Sequence, residues 1–372
     1  MRVQKTKEKL LKLINRIYRT GALPEDFKLS TFVAIPKKTN PKKRSEHCII
    51  TLMSHTLKLI LAIINRRIEA RINHQLSKTQ FGFIAQKGTR DAIALYKLLI
   101  QRALAARRSI YVTYIDYEKA FDRVEHVKVL QILKRHMIDT EDLQLIYKLY
   151  AQQRANIIVE GESTKRTCAI ERGVRQGCPL SPRLFNVYAE EIAKTRAFQN
   201  MGFKVNGEKI NSICYADDRV LIAATPNQLQ LMITKLNAAG KQYGMKINAS
   251  KTKVMQIGST EGSRPLRIEV DGVWLEQVTK YKYLGVVITE DGRDDEEIKT
   301  RLGIARTAFN NLEKVLRDRK MKMELRIKIL KCYVWSIARY AAETWIISKN
   351  TERRVHDIQK NQQNQVDGVD SK

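Results

Sequence analysis

Three aspartates stand where acids are costly. Asp116 ends the β-branched and aromatic run 109–115, and Asp217-Asp218 interrupt a second apolar run between Ile213 and Ala223. Apolar strands end in acids when something cationic gathers them. If the two strands are neighbours, the carboxylates form one oxygen-rich site, which suits Mg²⁺ and not a softer metal. Two such ions about 4 Å apart clamp the attacking and leaving oxygens of a phosphoryl transfer. The competing reading makes Asp116 the cap of the following turn and Asp217-Asp218 ordinary turn formers.

Those acids need elements to hold them. Leu10, Leu13, Ile14, Ile17 and Tyr18 recur at helical spacing, and Gly21 ends the run. A short strand over 31–35 leads into the basic loop 36–44, which carries Lys37 and Lys38. Apolar periodicity predicts helices from Leu57 to Ile72 and from Asp91 to Ala105. The middle reads differently: a strand over 109–115, then a helix from Asp122 with Val127, Leu130, Leu133 and Met137 on one face. A hairpin over 156–170 follows, and Ser181-Pro182 open a helix over 183–198. Strand, tight turn and strand span 213–223, followed by a helix over 227–242, a strand near 253–257 and a hairpin over 266–289. The last block is helical, with stripes at Ile298, Leu302, Ala305, Phe309, Leu312 and Leu316 and at Leu325, Ile329, Tyr333 and Ile337. Beyond Asp357 the chain turns Gln/Asn-rich and loses periodicity. Strands mixed with helices and several hairpins predict an α+β architecture, not a doubly wound parallel sheet.

The 372 residues carry a formal charge of +29, and such a surplus favours a polyanionic partner through counterion release. It is uneven: residues 1–110 hold 24 Lys+Arg against 6 Asp+Glu. Between Thr300 and Cys332 lie ten basic and three acidic residues. The longest apolar run is six residues, Leu59 to Ile64, far short of a membrane span. Five scattered cysteines without a CxxC pair read as reduced thiols of an intracellular protein, nuclear or cytoplasmic, and argue against structural zinc.

The wording around the acids is more specific. Tyr114-Ile115-Asp116-Tyr117-Glu118-Lys119-Ala120-Phe121-Asp122, then Gly173-Val174-Arg175-Gln176-Gly177-Cys178-Pro179-Leu180-Ser181-Pro182, then Tyr215-Ala216-Asp217-Asp218 resemble the ordered motifs of reverse transcriptases. More narrowly, the chain resembles the polymerase segment of non-LTR (LINE-type) retrotransposons. Supporting pieces are Ser54-His55-Thr56-Leu57-Lys58, Gln80-Phe81-Gly82-Phe83, Gly88-Thr89-Arg90-Asp91-Ala92, Gly244-Met245-Lys246-Ile247-Asn248, Lys251-Thr252-Lys253 and Tyr283-Leu284-Gly285.

The resemblance implies a right-hand polymerase whose antiparallel palm sheet packs on helices. Fingers would span 1–108, the palm 109–292 and a helical thumb 293–356, with 357–372 a disordered tail. It implies an RNA-directed DNA polymerase that uses an RNA template, a DNA primer and dNTPs. Asp116, Asp217 and Asp218 would hold two Mg²⁺, with Mn²⁺ as a substitute. Phe121 would crowd a ribose 2′-OH, Gln176 and Gly177 would touch nucleotide and template, and Lys251 would protonate pyrophosphate. Tyr283, Leu284 and Gly285 would grip the primer. Asp122 recurs in the family, yet Asp122-x-x-Glu125 also reads as a capping-box variant.

Two departures bear on activity. Cys48 occupies the place of an arginine that holds the triphosphate in the family, and a thiol lacks the two-pronged donor that task uses. Lys37 and Lys38 are the candidates to compensate. Ile84 stands where the family often shows a basic residue. Many relatives carry an N-terminal endonuclease and a longer C-terminal region, so the expectation is a polymerase segment truncated at both ends. These departures keep a second reading open, an inactive polymerase fold that only binds nucleic acid.

Overall fold

The computed structural model describes residues 2–347, except 37, 44, 45, 160, 161, 164–166, 195–200, 206, 259–264 and 319, and beyond them only 352, 353, 355, 356 and 360. Lys37, the side chain of Cys48 and almost all of the expected tail lie outside the described residues.

Helix α1 (Arg2–Thr20) buries Ile14 and Ile17 and stops at Gly21, whose φ of +61° returns its N–H to the Ile17 carbonyl at 2.7 Å. The short α2 (Glu25–Lys28) precedes β1 (Leu29–Pro36) and β2 (His47–Leu52), which pair antiparallel. Ser54 caps α3 (His55–Asn73) by accepting from the Leu57 N–H at 3.2 Å. Next come α4 (Thr89–Ala105), β3 (Ile110–Ile115), a 3-10 turn (Ala120–Arg123), α5 (His126–Arg135) and α6 (Thr140–Ala151). Strands β4 (Arg154–Val159), β5 (Glu162–Ser163) and β6 (Cys168–Ala169) lead to α7 (Ser181–Ala193). The chain continues through β7 (Phe203–Val205), β8 (Glu208–Ile210), β9 (Ser212–Tyr215), β10 (Asp218–Ala223), α8 (Pro226–Gln242) and β11 (Lys253–Ile257). Strands β12 (Glu269–Val270), β13 (Val273–Trp274), β14 (Glu276–Gln277), β15 (Lys280–Tyr283) and β16 (Val286–Thr289) follow. The end is helical: α9 (Asp295–Leu316), α10 (Met323–Leu330), a π turn (Lys331–Trp335) and α11 (Ser336–Ala338).

The central sheet has the order β14-β11-β3-β10-β9 and is antiparallel except at the β11–β14 edge. Alternation along β10 explains how it is covered on both sides. Val220 and Ile222 join Ile93, Tyr96, Leu99 and Ile100 of α4 in one core, while Leu221 and Ala223 join Leu229, Met232, Ile233 and Leu236 of α8 in another. A separate small core, Ala305, Phe309, Leu316, Leu330, Val334 and Ala338, ties the C-terminal helices together.

Four local expectations need correction. Helix α5 begins at His126 and buries His126, Val129, Ile132 and Leu133, whereas Val127 and Met137 are exposed. The side turned to the core is that of His126, Val129, Ile132 and Leu133, and Met137 lies past the helix end with a φ of +53°. Glu125 is the N-cap and makes no side-chain cap, so Asp122 and Glu125 form no capping box there. The hairpin expected over 266–289 is two hairpins, β12–β13 and β15–β16, separated by β14, which pairs with β11. Helix α7 starts at Ser181 with Leu180 as cap, one residue before the expected cap site. Where a hairpin was expected over 156–170, β4 pairs antiparallel with β5 and β6, and β4 also runs parallel to β1, so these three strands share a sheet with β1 and β2.

Candidate active site

Strands β9 and β10 meet in a two-residue turn, Ala216-Asp217, in which Ala216 has a φ of +58°. On its other side β10 pairs with β3, Arg219 opposite Ile115. One step further along this register, Asp218 comes across from Asp116. The three expected acids therefore share one end of the central sheet. Nearby protein excludes water from the Asp217 carboxyl, and Asp116 repels its charge, so its pKa is raised. Asp218 is pushed up to about 6, first by burial and then by the charges of Asp217 and Asp116.

The acid turn rests on the segment 79–82. Gln80 Oε1 accepts from the Ala216 N–H at 3.2 Å and from the Gly82 N–H at 2.9 Å. Phe81 N–H donates to the Cys214 carbonyl at 2.8 Å, and Cys214 N–H donates to that of Thr79 at 3.0 Å. A Cβ at Gly82 would overlap the Ala216 amide and stand 2.8 Å from the Tyr215 carbonyl carbon. Only glycine permits that approach. Asn186 of α7 secures the Gly82 carbonyl at 2.7 Å. Sequence reasoning placed Gln80 to Phe83 in a motif without giving it this work. A glycine between two aromatics, in Gln80-Phe81-Gly82-Phe83, was the available signal.

Asp116 is held through its backbone. Its N–H donates to Thr252 Oγ1 at 3.2 Å, and its carbonyl accepts from Asn248 N–H at 2.8 Å. Glu118 N–H donates to the Lys246 carbonyl at 2.9 Å, while its carboxylate pairs with Arg123 at 2.9 Å and Lys246 at 3.0 Å. The segment 244–252 thus acts as a splint for the loop after β3. Lys251 is exposed on that segment, next to the buried Thr252.

Phe121 is half-buried and stacks on Phe185 of α7, ring centroids 4.3 Å apart. Its carbonyl accepts from Val174 N–H at 2.9 Å, which joins it to the 173–177 loop. That loop reaches β2, where the Gln176 carbonyl accepts from Thr51 N–H at 3.2 Å, and Gly177 takes a φ of +89°. On the same β1–β2 ladder the backbone of Cys48 lies opposite Ile35. Lys38 is exposed and pairs with Glu46 at 2.8 Å. Arg175 is buried: it donates to the Leu149 carbonyl at 2.8 Å and lies over the Tyr150 ring.

The hairpin β15–β16 turns at Leu284 and Gly285, with φ of +45° and +90°. Between this hairpin and Asp218 lies a cleft of about 220 Å³. Tyr114, Ile115, Asp218 and Arg219 line one wall, and residues 281–285 line the other. Tyr283 is buried against Tyr96 and Tyr114. Tyr281 stacks on Tyr114 at 3.8 Å, and burial, with Asp218 and Asp116, raises its phenol pKa. Sequence reasoning missed Tyr281. The alternation in Lys280-Tyr281-Lys282-Tyr283 carried the hint.

Hard carboxylate oxygens that repel one another in a partly dehydrated setting suit Mg²⁺ chemistry. As the side chains stand, no three His, Cys, Asp or Glu among the described residues are gathered tightly enough to hold an ion.

The family described as reverse transcriptase (RNA-dependent DNA polymerase) matches residues 35–288. The chain is 29% identical over 303 residues to the Pol polyprotein of the type-1 retrotransposable element R2 of Nasonia vitripennis, covering 79% of this chain and 29% of that protein. It is 24% identical over 354 residues to the RNA-directed DNA polymerase of the mobile element jockey from Drosophila funebris, covering 92% and 38%. The chain thus spans well under half the length of these relatives. Apo telomerase from Candida tropicalis has a similar fold, with a TM-score of 0.53 at 11% identity over 98% of this chain and 67% of that one. With the acid turn, the right-hand fold and the family match in agreement, this chain belongs to the reverse transcriptase family, among the polymerases of non-LTR retrotransposons.

Proposed function

We propose that this chain is an RNA-directed DNA polymerase domain that adds dNTPs to the 3′-OH of a DNA primer paired with an RNA template. The observation that carries the reading is the cleft with Asp218 on one wall and the Tyr283-Leu284-Gly285 turn on the other. A primer end lying there would have its terminal hydroxyl beside the acids and its backbone against the hairpin. In this reading Asp116, Asp217 and Asp218 hold two Mg²⁺ or Mn²⁺, which supply Lewis acidity to the reacting oxygens when bound. Phe121 limits space at the sugar 2′ position, and its stacking on Phe185 keeps the ring from swinging aside. Gln176 and Gly177 meet nucleotide and template. Lys251 supplies a proton to the departing pyrophosphate. Lys37, Lys38 and the Cys48 position border the triphosphate.

The fingers (1–108), palm (109–292) and helical thumb (293–356) follow from the same reading, with the 154–169 strands lending their pairing to the finger sheet. The basic fingers and thumb are the surfaces for RNA and DNA backbones. Not every basic residue is available: Arg301 and Arg326 are engaged inside the C-terminal unit. No helix among the described residues is long and apolar enough to cross a membrane, and we place the domain in an intracellular compartment. Primer extension on an RNA template, by wild type and by Asp217→Asn, tests the assignment. Metal-dependent extension lost in the variant supports it. Binding of primer–template without extension by wild type favours the nucleic-acid-binding reading.

A further inference from the structure

The Leu284-Gly285 turn is held from behind by the C-terminal helices. Both of its carbonyls are occupied: the Tyr340 phenol donates to Leu284 O at 2.9 Å, and the Arg301 guanidinium donates to Gly285 O. Tyr340 and Arg301 form one unit, the guanidinium lying 4.5 Å from the centre of the Tyr340 ring. Glu297, fully buried on α9, steers that unit. Its Oε1 accepts from Arg301 Nε at 2.6 Å and its Oε2 from the Val287 N–H at 2.6 Å. The Tyr340 hydroxyl also lies 3.2 Å from Thr89 Oγ1 at the start of α4, where Arg90 pairs with Glu343 at the surface at 3.3 Å.

The peptide plane carries the consequence. In a trans peptide the Leu284 C=O and the Gly285 N–H point to opposite sides. Holding the carbonyl toward Tyr340 therefore turns the Gly285 N–H away from it. Backbone N–H groups in such a turn make a concavity suited to an anion. We propose that Arg301 and Tyr340, seated on Glu297, are positioning residues that aim the Leu284-Gly285 turn at a backbone phosphate of the primer. This rests on the reading that the cleft takes a primer. Neither side chain touches the reacting atoms; both act through the turn.

The test uses the whole chain with a fluorescent DNA primer on an RNA template. Equilibrium binding is measured, and primer–template and dNTP are titrated separately in extension assays. Tyr340→Phe removes one hydroxyl, and Arg301→Lys keeps the charge while losing the planar fork. Loss of one hydrogen bond is worth about 3- to 10-fold. Each variant should weaken primer–template binding and raise its KM by up to that factor, while dNTP KM stays at the wild-type value and the melting temperature falls by only a few degrees. Unchanged primer affinity in Tyr340→Phe overturns the proposal. So does a parallel rise in both KM values with a lowered melting temperature, the mark of a merely structural role. Wild type that binds primer–template without extending it overturns the polymerase reading alone, and the binding comparison still decides this one. Wild type that does not bind overturns both.

Discussion

Asp218 faces Asp116 across the end of the β3–β10 ladder, one step past the Arg219–Ile115 pair. Burial first, then the charge of Asp217 and last that of Asp116, push the Asp218 carboxyl up to about 6. The folded, metal-free chain therefore holds a proton there more tightly than the unfolded chain does. This group's contribution to stability falls as pH rises from the ordinary carboxyl range through about 6. A cation reverses the sign by favouring the ionised form. Added Mg²⁺ or Mn²⁺ should raise the melting temperature more at pH about 8 than at pH about 5, and Asp218→Asn should flatten that difference. Thermal melts across pH, with and without metal, read it out; a metal effect independent of pH would count against shared ligation by these acids.

Gly82→Ala should damage the acid turn from beneath. The new methyl would overlap the Ala216 amide, and relieving that overlap costs about 1–3 kcal/mol. Extension activity should fall with little change in salt-dependent primer–template affinity, because the acids move and the basic surfaces do not. Normal activity in a variant of normal stability would mean that the turn tolerates displacement.

Phe121→Val should admit ribonucleotides if the ring guards the sugar. Losing the stack on Phe185 should also cost stability, about 1–3 kcal/mol for a half-buried ring. The ratio of rNTP to dNTP incorporation separates the two effects, since destabilisation alone lowers both. An unchanged ratio returns Phe121 to simple packing.

Cys48→Arg should lower the dNTP KM if position 48 borders the triphosphate. A charge-assisted hydrogen bond is worth roughly 1.5–3 kcal/mol, or about 10- to 150-fold, of which part should be recovered. Cys48→Ser should not recover it. Equal dNTP KM values in wild type and a well-folded Cys48→Arg would move the nucleotide pocket elsewhere.

Lys97 of α4 and Asp294, just before α9, form a buried ion pair, and Asp294 also accepts from the Ile346 N–H at 2.7 Å. Lys97→Met should cost about 3–5 kcal/mol by stranding the carboxylate. Adding Asp294→Asn keeps an acceptor for Ile346 and should restore much of the loss. Melts of the single and double variants check this; equal losses in both would show that packing, not charge, dominates there.

What the amino-acid sequence determined by itself was local. Apolar runs ending in Asp116 and broken by Asp217-Asp218 announced strands with acids at their tips, because the strand period and turn chemistry act over a few residues. Helices α1, α3, α4 and α8 were legible for the same reason. The face of α5 was not: Val127 and Leu130 fit a helical stripe as well as His126, Val129 and Leu133 do, and only packing against α6 and α7 selects the buried side. Long-range approach decided the rest. The parallel β1–β4 pairing, the seating of Gly82 under Ala216 and the hold of Tyr340 and Arg301 on the Leu284-Gly285 turn join segments distant in the chain. No propensity records such contacts, because the closing of large loops becomes favourable only when the cores they bury form together. The carboxylates were thus visible in the sequence, while the braces that hold the acid turn and the hairpin in place exist only in the folded chain.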